Sequence, residues 1–390
     1  MKNGFECIVV GLGAFGAATL YQLSRLGVRA LGLDQFSPAH SFGSSHGETR
    51  ITRESIGEGA AYVPLVRRSH QIWRELESQT GQELFSACGG LIFGSGGGVH
   101  HGQGSFVEQT TTFAKQFGIA HESLTLDQLK KRYPQFKFRG DEVGYFEPGA
   151  GFVRPERCIE TQLNLATKLG GVVHTNELVI GVKEIGSGNV EIVTNKARYQ
   201  TERAIVCAGP WASKFLPAHF SSCLKVFRQV LYWFDARLSI KKFDQASFPI
   251  YVKLLGGDDI VYGFPAIDGP SGGIKIVTEQ FIDTTSPDSV SREVSEEESS
   301  HFFQQYVEPN FNGVSSRCLK ANVCLYTVTP DSHFIIDWLP ESSSILFASP
   351  CSGHGFKHSA SIGEALAKWS VEGSPGLDLR QFSINRAGLI

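Results

Sequence analysis

A chain of 390 residues with 41% hydrophobic and 19% charged side chains is long enough for two domains with buried cores. Its formal charge of -3, with 36 Lys and Arg forming no basic block, argues against nucleic acid as a partner, and no run of about 18 uncharged apolar residues suggests a membrane span. Eight cysteines without C-x-x-C spacing indicate neither a zinc site nor a disulfide framework, so the expectation is a cytoplasmic protein without a bound metal.

Residues 7–36 hold an apolar run, a glycine-rich turn, a helical pattern and a second apolar run, which together make one βαβ unit. Gly11, Gly13 and Gly16 form G-x-G-x-x-G after the first run. Asp34 ends the second run, where an acceptor for a ribose hydroxyl belongs. Small glycines let backbone approach a pyrophosphate, and the helix from Ala14 offers free N–H groups at its start, so the unit is expected to bind a dinucleotide.

The stretch GSSHGETRITRE, residues 43–54, places Arg50 and Arg53 three apart in a polar loop, where they read either as surface charges or as an anion site. Residues 93–105 are glycine-rich without strand and helix around them, and read as a flexible loop. Residues 204–212 return to buried-strand character and are expected to rejoin the first parallel sheet. Short β-branched and aromatic segments at 224–234, 249–254, 259–264 and 273–278 predict an antiparallel sheet, with Lys275 facing opposite to Ile274 and Ile276. The aromatic residues of 227–234 are left as core. Residues 291–307 read as an acidic surface helix, and the spacing of Cys318 and Cys324 puts both on one face of a strand. A strand at 344–348 and a Gly-rich lead into a last helix complete the pattern, with Lys357 opposing that helix's dipole unless an anion sits nearby. The fold class is thus α/β in a two-domain α+β arrangement, a Rossmann-like nucleotide-binding domain joined to an antiparallel-sheet substrate domain.

The glycine turn with Asp34, GSSHGETRITR, GEGAAYVPLVRRS, YGFP at 262–265, CLYTVTPDSHFIID and SGHGFK, in this order, resemble the monomeric sarcosine oxidase and N-methyltryptophan oxidase family. These flavoenzymes oxidise secondary amino acids with oxygen. The resemblance implies FAD in a domain made of residues 1–87, 145–220 and 320–390, and substrate in one made of 88–144 and 221–319. It places the cofactor against Gly11, Gly13, Gly16, Asp34, Ser45 and His46, and also against Gly353, His354, Gly355 and Phe356. It implies an 8α-S-cysteinyl bond at Cys324, which the residues alone do not distinguish from Cys318. Lys275 matches the lysine that assists the reaction with oxygen, Arg50 an arginine beside the flavin, and Arg53 with Lys357 the pair that holds the substrate carboxylate. Tyr262 and Tyr326 line the substrate cavity.

One departure is implied as well: Glu279 stands where family members carry a histidine near the substrate amine. That predicts a shift toward a larger or more basic N-alkyl amino acid, unless a loop shift takes Glu279 out of the pocket. The expected partners are an N-alkyl amino acid and O2, with the chain a monomer. Rival readings are an NAD-dependent dehydrogenase, a silent flavin-binding protein, an FAD-dependent dehydrogenase with another electron acceptor, and an oxidase of cyclic amino acids such as proline or pipecolate.

Overall fold

Six short strands form the first sheet, in the order Ile335–Trp338, Ile345–Ser349, Arg203–Val206, Cys7–Val10, Ala30–Leu33 and Val172–His174. All neighbours run parallel except the Ile335–Trp338 edge. The computed structural model describes residues 4–389 apart from Gly96, Ser187 and Leu238. Strands Cys7–Val10, Ala30–Leu33 and Ile345–Ser349 are buried at every position, which is why they read as unbroken apolar runs. Helix Ala14–Arg25 packs between helices Pro155–Lys168 and Ser359–Glu372. Gly16 allows the tight entry to that helix: a Cβ there would stand 1.7 Å from the Gly11 carbonyl oxygen. The start of the segment 204–212 rejoins this sheet as the sequence predicts, its remainder turning away from Gly209, and the predicted strand at 344–348 lies beside it.

The second sheet has eight strands, in the order Val314–Val328, Lys225–Ala236, Ile274–Val277, Asp259–Phe264, Ile250–Gly256, Gly90–Ser95, Glu142–Glu147 and Glu122–Leu124. It is antiparallel except where Gly90–Ser95 runs parallel to Ile250–Gly256. Period-two alternation sorts its side chains. Tyr232, Phe234, Ile274 and Ile276 enter an aromatic core with Phe93, Phe136 and Phe302. Leu231, Trp233, Val277 and Cys324 pack on the opposite face, together with Tyr262. Lys275 pairs with Trp233 across the ladder, and Tyr326 with Phe227, so both belong to this second face.

The structure departs from the sequence reading in places. Cys318 and Cys324 do not share a face, because the register slips between Trp233, opposite Lys320, and Phe234, opposite Cys318. That bulge at Leu319 inverts the parity and sends Cys318 to the aromatic core. Residues 93–105 are not a free loop: 90–95 form a central strand, and His100 and Gln103 exchange two backbone hydrogen bonds of 3.1 and 2.9 Å. The acidic helix is shorter, Glu296–Phe302, begun by the Ser295 side chain accepting from the Glu298 N–H, and Phe303–Val307 continue it as a wider turn. The boundaries drawn at 144/145 and 319/320 fall inside the strands Glu142–Glu147 and Val314–Val328 of the second sheet. Among the described residues, no helix is long and apolar enough to cross a membrane.

Candidate active site

Two cavities meet between the sheets. The larger, about 1310 Å³ counting its opening to solvent, runs from Gly11, Gly13 and Ala14 past Asp34 and Ser45. The smaller, of about 590 Å³, is lined by Arg53, Glu58, His100, His101, Lys275, Glu279 and Lys357. Arg50, Tyr326, Gly353 and Phe356 line both, and so mark the junction.

The larger cleft fits a dinucleotide. Helix Ala14–Arg25 starts without a cap from Gly13 and without an acid in its first turn, and its Ala14 N–H makes only a long 3.4 Å contact to the Ser45 hydroxyl, which leaves the helix start open to an anionic ligand. A Cβ on Gly13 would find only the Ser45 hydroxyl, at 3.6 Å, so backbone lies bare to the cleft. Asp34 spends one oxygen on the Leu12 N–H at 2.7 Å and the other on the Phe36 N–H at 2.8 Å, which fixes the carboxylate and leaves lone pairs for a hydroxyl. Ser44 and Ser349 line the cleft with buried hydroxyls that have no protein partner among the described residues. His46 is buried with Nε2 unpartnered, and burial, then Arg50 and Lys275, push it down to about 3, so its ring is neutral.

The loop before Arg50 is held by Glu156, whose carboxylate accepts from the Gly47 N–H at 2.6 Å and the Glu48 N–H at 3.1 Å. This aims the carbonyls of Gly47 and Thr49 at Lys275, whose ammonium donates to them at 2.7 and 3.0 Å and to the Thr49 hydroxyl at 3.2 Å. Arg50 donates to the carbonyls of Thr49 and Ser44 and, at 3.3 Å, to the Cys324 sulfur.

Arg53 follows the strand Arg50–Thr52 in a turn that Glu147 secures by accepting the N–H groups of Glu54, at 2.6 Å, and Ser55, at 3.1 Å. Its guanidinium donates to Glu58 at 2.8 Å and to the Ser55 carbonyl, with both side chains of the ion pair about 4% exposed. Burial pushes the Glu58 carboxyl up, but Arg53 and Lys357 outweigh it and hold it well below the usual range. Lys357 donates to the His354 carbonyl at 2.6 Å; burial pushes it down to about 8, with Glu58 opposing. The anion that its position at a helix start calls for is thus Glu58. Tyr262 and Tyr326 share a hydrogen bond of 2.8 Å on the wall, and His354 stacks on Phe334 behind Lys357. Gly355 has no room for a side chain, since its Cβ would stand 1.8 Å from the Pro350 carbonyl oxygen.

Over this chain the family model described as FAD dependent oxidoreductase matches residues 6–369. The chain belongs to that family. Monomeric sarcosine oxidase of Bacillus sp. strain B-0618 is 36% identical, covering 100% of this chain and 98% of its own. N-methyl-L-tryptophan oxidase of Yersinia pestis strain Pestoides F is 31% identical over 98% and 99%. The open form of NikD, an amino acid oxidase of nikkomycin biosynthesis, has the same fold, with a TM-score of 0.81 at 18% identity over 98% of each chain. As an FAD-dependent oxidoreductase, the protein has its glycine turn in the larger cleft and its two candidate carboxylate-holding cations in the smaller. The NAD-dependent reading has no support left.

Three residues of this oxidoreductase's smaller cavity escape the sequence reading: Glu58, His100 and His101. A pair of adjacent histidines within a glycine-rich stretch was the available signal for the last two. Their ligand atoms and a Glu58 oxygen lie within 4.8 Å of one another, a grouping able to hold a metal ion. Arg53 already occupies Glu58, however, and Lys357 adds a second nearby cation, which disfavours an added one. Glu279 stays in the cavity, so no loop shift removes it. Burial, then Glu58, push it up to about 8.

Proposed function

We propose that the protein is a flavin-dependent oxidase of N-methyl and other secondary amino acids, yielding an imine, hydrolysed to aldehyde and primary amine, and hydrogen peroxide. The observation that carries this reading is the junction of a dinucleotide-sized cleft with a small cavity holding Arg53 and Lys357. FAD, when bound, supplies the hydride acceptor and returns to its oxidised form with oxygen. The glycine turn, Asp34 and Ser45 would hold its nucleotide end; Arg50, Gly353 and Phe356 stand where its reactive ring would border the substrate. Arg53 can take a carboxylate with its planar fork and Lys357 adds a point charge, which orients the amino acid in one way. Tyr262, Tyr326 and the Phe264 ring close the apolar side of the cavity and limit water.

Cys324 is the residue we assign to a covalent thioether with the flavin, and it is supported by the Arg50 contact and by its place on the sheet face toward the junction. Protein precipitated with acid is expected to keep its yellow colour, Cys324→Ala to release it into the supernatant, and Cys318→Ala to behave like wild type. The activity itself is tested by peroxide release with sarcosine, N-methyl-tryptophan, proline and pipecolate as probes. Reduction of the flavin without peroxide would mean a dehydrogenase with another electron acceptor; no reduction by any of them would sink the reading.

A further inference from the structure

The small cavity contains a buried acid without a cation of its own. Glu279 is flanked by Tyr262 and Tyr326 of the sheet, by His101 of the 97–105 segment, and by Glu58 and Lys357 from two further elements. Arg53 is engaged by Glu58, and Lys357 bonds to a backbone carbonyl. The ion-pair neighbour of Glu279 among the described residues is His101, with Oε2 and Nε2 3.6 Å apart and both side chains buried. That separation is too long for a hydrogen bond. Burial pushes His101 down to about 4, so near neutral pH the ring carries no charge, and the carboxyl is relieved by the Tyr326 side chain and the Lys357 charge instead, which burial outweighs. The two side chains converge on Gly353: a Cβ there would stand 2.9 Å from His101 Cε1 and 3.4 Å from Glu279 Oε1. Only a glycine floor admits them both, beside the junction with the larger cleft.

The charges of the cavity show what the acid can do. Arg50, Arg53, Lys275 and Lys357 line it against Glu58 and Glu279, an excess of cations that loosens the proton of any ammonium brought in. An amino acid whose carboxylate meets Arg53 and Lys357 carries its nitrogen only two bonds away from that carboxylate. Its hydride cannot leave while the nitrogen lone pair is tied up by a proton. Glu58 is committed to Arg53, which leaves Glu279 as the carboxylate able to receive that proton.

Building on the proposed function, we infer that Glu279 is the base that takes the ammonium proton of the bound amino acid. One N–H bond breaks and its electron pair stays on nitrogen as the lone pair; one O–H bond forms on Glu279, and nothing is oxidised or reduced in the step. The raised carboxyl of Glu279 suits the task, since a base works best with an affinity near the working pH.

The test is anaerobic flavin reduction by an N-methyl amino acid at subsaturating concentration, followed by absorbance between about pH 6 and 11. In wild type the rate rises with pH as Glu279 ionises and levels above about 8. Glu279→Gln is expected to lose about 10²-fold at neutral pH and to recover most of the rate near about pH 10, where the substrate amine sheds its proton in solution. A loss in Glu279→Gln that is equal at every pH means a structural role and overturns the inference, as does an unchanged profile. Wild type that no secondary amino acid reduces at any pH overturns the proposed function and this inference together, so the two failures are told apart.

Discussion

Arg53→Leu is expected to lower kcat/KM for an N-methyl amino acid by about 10²–10³-fold, equivalent to about 3–4 kcal/mol of lost binding in the transition state. Arg53 and Glu58 cancel in charge, so Lys357 supplies the surplus positive charge at that end while Arg53 supplies direction through its fork. Loss of direction should appear in kcat as well as in KM, because a carboxylate held by a lysine alone can swing. The same substitution strands Glu58, fully buried, without its partner. Breaking one side of a buried pair costs about 3–5 kcal/mol of stability, so a fall in activity alone would be ambiguous.

The pH dependence separates the two effects. In wild type the Glu58 carboxyl is held below its unfolded value, so it contributes stability that is present above that value and is lost as pH falls through the folded one. With Arg53 gone, burial dominates and the carboxyl takes up a proton. The stability gap between wild type and Arg53→Leu should therefore widen from acid toward neutral pH. Arg53→Leu combined with Glu58→Gln removes the stranded charge and should regain most of the thermal stability while kcat/KM stays low. If the double variant recovers kcat/KM along with stability, the pair is structural and the carboxylate is held elsewhere.

The parts of this molecule that were legible in the sequence are those set by local rules. Gly11, Gly13, Gly16 and Asp34 lie in one short βαβ unit, where strand, turn and helix each leave a signature. The buried runs 204–206 and 345–349 were visible because a parallel sheet covered on both sides needs unbroken apolar runs. Cys318 was misplaced because parity along a strand holds only while the register does, and the slip opposite Trp233 depends on a partner strand far away in the chain. Glu58 was not readable, and His101 only as one of two adjacent histidines in a glycine-rich stretch. His101 reaches the cavity because Gly90–Ser95 pairs in parallel with Ile250–Gly256, which swings the following turn over Glu279. Arg53 and Lys357 had equally good readings as surface charges, and only the order of motifs favoured a site; burial of both is a property of the packed sheets.

Lys275→Met is expected to slow the return of the reduced flavin to its oxidised form in oxygen by about 10²–10³-fold, the usual loss when one charged or donor group is removed from a developing anion. Reduction by substrate should change little. Burial, then Arg50, push the Lys275 amine well below its ordinary value, which at first argues against a charged side chain. The geometry argues for it: three acceptors, Gly47 O, Thr49 O and Thr49 Oγ1, surround Nζ, and only an ammonium has three protons to give them. The rings of Phe264 and Trp233, at 4.6 and 5.2 Å, add their negative faces. Oxygen is apolar and carries no charge until it gains an electron, so a cation beside it stabilises the product of that first transfer far more than the reactant. Substrate oxidation moves charge the other way and has no such need. Because the folded amine binds its proton less tightly than the unfolded one, the charged lysine lowers stability below the ordinary value, and that cost fades as pH rises toward it. Methionine removes the buried charge and takes one donor from each of two carbonyls, Gly47 O and Thr49 O, which still accept from the Thr49 N–H and from Arg50, so the variant should fold. Stopped-flow mixing of substrate-reduced enzyme with oxygen decides the matter, since reoxidation as fast as wild type would remove Lys275 from the oxygen reaction.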